Sequence, residues 1–455
     1  MTATLKTYFQ SQTNAAPLAV FRMLFGIMML YSIVRFWYHG WIDTLYIAPK
    51  FHFSYYGLEW IQPVGIYTYL LFISAGISAL FVALGYKYRL AICVFFLSFT
   101  YIEFMDKTTY LNHYYFISVL SFLMIFLPAN VSFSLDAYTK KMSFTMVPKW
   151  TIDCLKLLLG MVYFYAGLAK INSDWLFKAM PLKIWLPSNY DMPFLGTNIM
   201  QQEWFHFTMS WSGMLYDLCI PFLLLYKRTR GFAFLIVVVF HVFTRVLFPI
   251  GMFPFIMIVA TLIFFDASLH LKIIDLLKRV FKRFGFSKEV SVSAHYNYPK
   301  SKRFILPVLA LFFAIQLFLP FRYALYPGEL FWTEEGYRFS WRVMLMEKSG
   351  YTTFKIVDRE SGDAFIVNNS DFLSSFQEKE MSAQPDFILE YAHYLGDHFR
   401  SQGHKNVQVF AESYVALNGR RSRPFINKMV DLYQEKESFK HKTWILPFND
   451  EIKGL

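Results

Sequence analysis

Residues 155–175 read LKLLLGMVYFYAGLAKINSDW, a largely apolar stretch that ends on a lysine and decides the fold class. The apolar segment around it is close to the roughly 20 helical residues needed to cross a hydrocarbon core about 30 Å thick. The sequence therefore predicts a multi-pass α-helical membrane protein. About nine segments approach the required length, at 16–38, 65–84, 89–105, 113–128, 150–169, 204–226, 231–247, 250–265 and 303–321.

The composition agrees with this class of protein. Of 455 residues, 56% are hydrophobic and 20% aromatic, whereas only 17% are charged, a share of apolar residues above that of soluble domains. The net charge of +12 arises from Lys and Arg residues clustered between apolar segments, where they set topology and meet anionic lipid headgroups. We therefore expect a lipid bilayer as partner and no nucleic acid.

The loops on alternate sides differ in basic residues. With nine spans and the N-terminus inside, the inner loops carry 18 Lys and Arg residues and the outer short loops carry 6. Because positive residues accumulate on the cytoplasmic side, this predicts a cytoplasmic N-terminus and an extracytoplasmic C-terminal domain. The expected location is the cytoplasmic membrane, or the endoplasmic reticulum with a lumenal C-terminal domain if the source is eukaryotic.

Residues 269–286, LHLKIIDLLKRVFKRFGF, form an amphipathic pattern between the last two apolar segments. Ile273, Leu277, Val280 and Phe284 fall on one stripe, with basic residues largely opposite. This favours a cytoplasmic helix lying in the membrane surface, and a protein-docking face is the alternative reading.

After residue 321 the composition becomes polar, which divides the chain into a helical domain at 1–321 and an outer domain at 322–455. Residues 353–367 predict two strands, and 385–399 predict an amphipathic helix. Asn418-Gly419 is a strong hairpin-turn signal. We expect a mixed, mainly β extracytoplasmic domain that binds substrate.

Function must be sought in polar residues in or beside the apolar helices, where they are costly. Lys170 follows an apolar helix. It is either a lysine that snorkels to the interface, or a desolvated lysine whose neutral amine serves as a base, because a low dielectric disfavours the ammonium.

Two histidines lie in the same outer half. His113 sits in a polar turn, DKTTYLNH, which is either a solvated connection or part of a site. His241 lies in an apolar run, where a lone histidine is either a packing contact or a functional group. Lys170, His113 and His241 therefore converge on one side of the membrane, beneath the outer domain.

Other chemistries lack their motifs. The sequence has no HExxH, no CxxC, no phosphate-binding glycine loop and no GxSxG. We therefore expect no metal, and zinc-enzyme, ATPase and hydrolase functions lose support.

At these residues the chain resembles the vitamin K-dependent gamma-glutamyl carboxylase family, including its bacterial relatives and the HTTM-domain membrane proteins. Six ordered segments carry the resemblance across nearly the whole chain: FHFSYYGLEWIQP (51–63), DKTTYLNHYYF (106–116), YFYAGLAKINSDW (163–175), FHVFTRVLFPIGMF (240–253), EGYRFSWRVM (335–344) and YVALNGRRSRPFINKMVDL (414–432).

The resemblance implies roles for individual residues. Lys170 falls on the family's catalytic base and His113 on its functional histidine. Asn112, Asp106 and His241 are implied as supporting or quinol-site residues. Tyr337, Ser340 and Trp341 fall in the stretch associated with binding the glutamate substrate. The chain departs from the family at Ala169, which replaces a first lysine, and at Gly336, which replaces a larger residue.

The implied enzyme is a carbon–carbon lyase with two coupled half-reactions. Lys170 would deprotonate a quinol of the vitamin K or menaquinol type, and O2 addition would give a base strong enough to take a glutamate γ-proton. The products would be a quinone epoxide and, with CO2, γ-carboxyglutamate in a peptide or protein. His113 and Asn112 would stabilise developing charge.

Two other functions remain open. A quinol epoxidase that does not carboxylate protein would keep Lys170 but alter the outer domain. The other is a non-enzymatic transporter or assembly factor, although a transporter would more naturally show inverted repeats.

Overall fold

The computed structural model describes residues 3–188, 196–283, 291–296, 298 and 302–454. Its helices are α1 Ala3–Gln10, α2 Ala16–Tyr38, α3 Thr68–Leu84, α4 Tyr88–Phe104, α5 Asn112–Ile125, α6 Leu135–Thr139, α7 Trp150–Leu168, α8 Ser173–Lys178, α9 Leu182–Ser188, α10 Gly196–Met200, α11 Glu203–Leu225, α12 Arg230–Leu247, α13 Phe253–Thr261, α14 Ala267–Arg283, α15 Lys302–Phe318, α16 Leu330–Thr333, α17 Ser375–Met381 and α18 Pro385–Ser401. The strands are β1 Gln12–Asn14, β2 Met142–Pro148, β3 Ser291–His295, β4 Lys348–Asp358, β5 Ala364–Ile366, β6 Val407–Leu417 and β7 Arg423–Pro424.

Six helical stretches among the described residues are long and apolar enough to cross a membrane: Ala16–Tyr38, Gly65–Leu84, Trp150–Leu168, Glu203–Leu225, Arg230–Leu247 and Phe304–Leu325. A seventh crossing is formed if Phe253–Phe264 and Ala267–Val280, which meet at 114°, count together. The prediction of a multi-pass protein is confirmed, whereas nine spans are not. α4 and α5 have 17 and 14 residues, so at 1.5 Å per residue each falls short of a core about 30 Å thick.

A three-stranded sheet closes one end of this membrane body. β2 lies in the centre, paired with β1 in antiparallel and with β3 in parallel orientation. These strands come from the three segments that the charge pattern assigns to one side, so the structure places those segments at a common end. The C-terminal domain packs on the loops of the opposite end.

α14 confirms a helix in the predicted amphipathic segment. Ile274 is buried against the start of α2, whereas Leu276 and Val280 are exposed. The basic side chains of its last turn are also exposed. Phe284 and the rest of the predicted segment lie outside the described residues.

The outer domain begins after Leu325, slightly beyond the predicted boundary. It contains a four-stranded antiparallel sheet in the order β5-β4-β6-β7. The predicted strand pair at 353–367 is confirmed by β4 and β5, and Asn418 and Gly419 form the turn before β7 with φ of 48° and 73°.

The domain is mixed rather than mainly β, because helices and strands occupy similar lengths. The predicted amphipathic helix is α18, and it covers one face of the sheet. Phe387, Tyr391 and Leu395 are fully buried on its inner stripe, as their i, i+4 spacing predicts. Helix and sheet therefore share a packed core, which holds the residues of the outer domain in fixed positions above the membrane body.

Candidate active site

An apolar cavity of about 450 Å3 lies between α7, α11 and α12, within the size range of sites for small organic ligands. Most of its lining is aliphatic or aromatic. The ionisable or hydroxyl groups that line it include Tyr163, Lys170, Asp217 and His241. We call it the membrane cavity.

Lys170 follows α7 by one residue and turns back into the protein. It is only 5% exposed, and its Nζ donates hydrogen bonds to Asp217 Oδ2 at 2.8 Å and to the Ala166 carbonyl at 3.0 Å. The Trp175 ring lies 5.4 Å from the same nitrogen. A snorkelling lysine reaches water, whereas this amine is enclosed beside a carboxylate.

Asp217 is the partner that sequence reasoning missed. It lies in the middle of α11, 47 positions after Lys170, and is 6% exposed. A carboxylate inside an apolar helix is costly unless it is paired, and this cost is the signal that could have identified it. The two opposite charges make the pair neutral as a unit.

His241 lies on α12 and belongs to a hydrogen-bonded chain. Its Nε2 is 3.2 Å from the Tyr163 hydroxyl, which is 3.3 Å from Thr261 Oγ1. Thr261 donates to the Met257 carbonyl at 2.7 Å. If Tyr163 donates to Thr261 and His241 Nε2 donates to Tyr163, every hydrogen in the chain is used, and Nδ1 becomes a free acceptor. His241 Nδ1 is buried without a hydrogen-bond partner among the described residues.

A second, polar cavity of about 610 Å3 lies between the membrane body and the outer domain. We call it the polar cavity. Six cationic and three acidic side chains line it, but Lys107, Arg338 and Lys348 are in ion pairs, the first two with a carboxylate outside the lining. The cations are Arg35, Lys107, Arg338, Arg342, Lys348 and Lys379, and the acids are Glu334, Glu347 and Glu380.

Buried ion pairs hold the charged lining of the polar cavity. Lys107 Nζ lies 2.9 Å from Asp386 and 3.3 Å from Glu390, and Arg338 lies 2.7 Å from Asp386. Burial opposes ionisation of Asp386, but Arg338 and Lys107 outweigh it and hold its pKa well below the usual range. These pairs join the loop before α5 to α18.

Lys348 carries a second buried pair in this lining. Its Nζ lies 2.8 Å from Glu334 and also donates to the Trp332 carbonyl. Burial lowers the pKa of Lys348, although Glu334 partly offsets this effect. Burial raises the pKa of Glu390 to about 7, and Lys107 acts in the opposite direction.

His113 and Asn112 line the polar cavity, at the start of α5. Asn112 donates its side-chain amide to the Arg342 carbonyl at 2.9 Å and accepts from the Tyr110 hydroxyl. The histidine is buried, and its ring centroid lies 5.9 Å from that of Phe253. Phe253 thus lies beside the histidine.

The two cavities adjoin. Ile250, Phe253, Val343 and Met344 line both of them. The structure therefore brings Lys170 and His241 together in one cavity, and His113 with Asn112 in the next.

Two family models match this chain. The HTTM domain matches residues 10–268, and the lumenal domain of vitamin K-dependent gamma-carboxylase matches residues 301–451. The chain belongs to the vitamin K-dependent gamma-glutamyl carboxylase family. The outer domain is accordingly the lumenal domain of this family, and the family assignment supports a carboxylase-like enzyme. No solved structure matches the chain significantly.

The residues expected to hold glutamate in this carboxylase-family chain occupy different places. Tyr337 lines the polar cavity. Ser340 is buried and donates its hydroxyl to the Tyr337 carbonyl. Trp341 is 1% exposed and packs on Tyr115 and Phe116, with centroid distances of 4.8 and 6.4 Å. Neither Ser340 nor Trp341 is among the residues lining the two cavities.

Asp106 also has a position away from both cavities. It is buried, accepts hydrogen bonds from the Thr108 amide and hydroxyl, and contacts His52 and Gln377. Its carboxylate thereby caps the turn that carries Lys107 and joins it to the lumenal domain. This arrangement orients the loop before His113.

A metal site finds no support among the described residues, which contain no group of three His, Cys, Asp or Glu side chains placed to hold an ion. The polar residues that sequence reasoning missed are Asp217, Tyr163, Arg338 and Lys348. The partners of Asp217, Tyr163 and Arg338 are 47, 78 and 48 positions away. The sequence held a signal only for Asp217, an acidic residue inside an apolar helix.

Proposed function

We propose that this chain oxygenates a lipid-soluble quinol of the vitamin K or menaquinol type and couples this reaction to γ-carboxylation of a glutamyl peptide. One observation carries the proposal. A buried lysine–aspartate pair lies in an apolar cavity that adjoins a cation-rich cavity under the lumenal domain.

The membrane cavity suits the quinol. A quinol is flat, apolar and soluble in lipid, and it carries two hydroxyl groups that need hydrogen-bond partners. Lys170 and Asp217 supply polar atoms at one place, and His241 Nδ1 supplies a buried acceptor at another. Pockets for such ligands are usually mostly apolar, with a small number of polar groups that orient the ligand.

Lys170 serves as the base that takes the quinol hydroxyl proton. Its ammonium form cannot accept a proton, so the amine must first become neutral. Transfer of one proton across the 2.8 Å hydrogen bond to Asp217 gives a neutral amine and a neutral acid without changing the total charge. A low dielectric favours that neutral pair, and closure over a bound quinol would lower the dielectric further.

The polar cavity receives the glutamyl side chain. Its cationic side chains, of which Arg35 and Lys379 are in none of the ion pairs described above, attract the carboxylate, and Tyr337 supplies aromatic contact area for the peptide. His113 and Asn112 lie at the end of this cavity nearest the membrane body, where they stabilise charge that develops during proton transfer.

The reaction balances in two halves. Quinol and O2 give the quinone epoxide and one water: one oxygen atom enters the epoxide, and the other leaves with the two quinol hydroxyl hydrogens. In the coupled half, the strong base formed from the quinol and O2 takes the glutamate γ-proton, which leaves in the water in place of one quinol proton, and the carbanion forms a carbon–carbon bond to CO2. The quinol proton taken by Lys170 is released to solvent. The exclusion of water from the membrane cavity protects the strong base that links the halves.

The topology required is an N-terminus in the cytoplasm and the lumenal domain on the other side. The end closed by β1, β2 and β3 belongs to the loops rich in Lys and Arg, and the positive-inside tendency supports this orientation. A polar peptide then arrives from outside the cytoplasm, and the quinol arrives through the bilayer.

Quinol epoxidation without carboxylation is the second candidate. It is favoured by the packing of Ser340 and Trp341, which puts two expected glutamate-binding residues away from the cavity lining. Purified protein should be given vitamin K quinol, a glutamyl peptide and labelled bicarbonate, with epoxide and fixed label measured separately. Epoxide with fixed label supports the coupled enzyme, and epoxide alone supports the second candidate. If neither product forms, both candidates are refuted.

A further inference from the structure

The wall between the two cavities is formed by apolar residues. Ile250 lies in the turn before α13, and Phe253 is the first residue of α13. Val343 and Met344 lie in the segment of the lumenal domain before β4. We call these four residues the partition. The membrane body and the lumenal domain thus each supply half of it.

Phe253 occupies the central place in the partition. Its ring centroid lies 5.9 Å from that of His113, which lines the polar cavity. It lies 5.8 Å from that of His241, which lines the membrane cavity. One phenyl ring therefore lies next to a histidine of each cavity, and His241 Nδ1 is buried without a hydrogen-bond partner among the described residues.

The other half of the partition is held in place by the chain beside it. Asn112 donates to the carbonyl of Arg342, the residue before Val343. Met344 has φ of 53°, a conformation that non-glycine residues rarely adopt. The segment 342–344 is therefore fixed against α5 in a specific, strained conformation.

A coupled reaction places opposing demands on this wall. The strong base formed in the membrane cavity must be kept from the water of the charged polar cavity, because water would quench it. The same base must reach a glutamate γ-carbon that arrives from the polar cavity. An apolar partition satisfies both demands if a bound glutamyl side chain displaces the Phe253 ring and excludes water at once.

We propose that Phe253 is a positioning residue that couples quinol oxygenation to glutamate carboxylation by closing the passage between the two cavities until a glutamyl side chain opens it. This inference rests on the proposed function. Phe253 does not exchange protons; it controls which molecule the base meets.

The first test compares Phe253→Ala with Phe255→Ala. Phe255 lies two residues along the same helix but is 46% exposed, and it is not among the residues lining the cavities. For each variant, epoxide and fixed CO2 are measured in the same reaction. We expect the ratio of fixed CO2 to epoxide to fall several-fold in Phe253→Ala and to stay at the wild-type value in Phe255→Ala.

A merely structural role would lower both products together and leave the ratio unchanged. An unchanged ratio in Phe253→Ala, or an equal fall in Phe255→Ala, would overturn the proposal. Phe253→Leu, which keeps an apolar side chain, should retain a ratio between those of wild type and Phe253→Ala.

The second test does not depend on activity. A cysteine replaces Ala166, which lines the membrane cavity, in a background where Cys93, Cys154 and Cys219 are serine. A charged, water-soluble thiol reagent added from the lumenal side should label this cysteine slowly with Phe253 present and several-fold faster in Phe253→Ala. Equal labelling rates would refute the partition. If wild type makes no epoxide, the proposed function fails while this labelling test still decides the partition.

Discussion

Replacement of Lys170 tests the base directly, and the structure predicts two separate consequences. The side chains of the Lys170–Asp217 pair are only 7% and 8% exposed. Loss of one partner from a buried pair costs about 3–5 kcal/mol, because the other charge is left uncompensated. Lys170→Ala should therefore lose stability as well as activity, and activity alone would be ambiguous.

A set of variants separates the two effects. Lys170→Arg keeps a cation beside Asp217 but cannot serve as a base, since the guanidinium stays protonated. Lys170→Met combined with Asp217→Asn removes both charges, so it should recover much of the stability lost in Lys170→Ala. Both should remain folded, and we expect epoxide formation in each to fall by about 10²–10⁴-fold, the usual contribution of a general base.

The assay measures initial rates of epoxide and fixed label, together with thermal unfolding in detergent. All Lys170 variants should lose both products in parallel, because carboxylation depends on the oxygenated quinol. A small amine should partly restore the activity of Lys170→Ala as the pH rises and more of that amine becomes neutral. Near-normal epoxidation by Lys170→Arg would refute the argument, and His113 would then be the next candidate for the base.

Three further predictions follow from the lumenal side. Tyr337→Ala should raise the peptide concentration needed for carboxylation more than the quinol concentration needed for epoxidation, whereas Trp341→Ala, which opens a packed core, should lower both activities and thermal stability together. Glu390 has its pKa raised by burial from 4.5 to about 7, so it stabilises the fold below pH 4.5 and this stability is lost as the pH rises through about 7. Because the side chain is 23% exposed, the effect should be modest, and unfolding temperatures at about pH 5 and about pH 8 should differ less in Glu390→Gln than in wild type. In intact spheroplasts, added protease should cut within 322–455 and leave 266–303 protected; the reverse pattern would contradict the topology.

Local patterns in the sequence predicted local structure well. The hairpin between β4 and β5 depends on a turn a few residues long, and Asn418-Gly419 specifies its own left-handed conformation. α18 follows from i, i+4 spacing alone. These elements are encoded within one stretch of chain, so no distant contact was needed to predict them.

The count of nine spans is not confirmed, because hydrophobicity alone does not show how long or how straight each helix is. α4 and α5 are apolar but short, and they pack on each other through residues such as Phe99 and Tyr114. α13 bends sharply into α14.

The candidate site was predicted only in part, because contacts between distant segments are not visible in the sequence pattern. Membrane depth predicted that Lys170, His113 and His241 share one outer half, and the structure places them in two adjoining cavities. Depth could not divide them between two cavities, nor could it supply Asp217, which is adjacent only through the packing of α7 on α11. A buried polar group needs a hydrogen-bonding or charged partner, but which distant residue becomes that partner depends on the fold.

The loop after Lys170 connects the proposed base to the lumenal domain. Asp174 is fully buried and accepts hydrogen bonds from both terminal nitrogens of Arg420, at 2.6 and 2.8 Å, and from Asn418 at 2.9 Å. Burial opposes ionisation of Asp174, yet these donors and Lys178 lower its pKa. The Asn418-Gly419 turn therefore ends directly on the loop that follows the base, by a bidentate contact that fixes orientation as well as distance. The Asn112 hydrogen bond to the Arg342 carbonyl and the Lys107–Asp386 pair make further connections between the same two bodies around the cavities. A peptide bound to the lumenal domain, as proposed, is therefore placed relative to Lys170 by the protein rather than by diffusion.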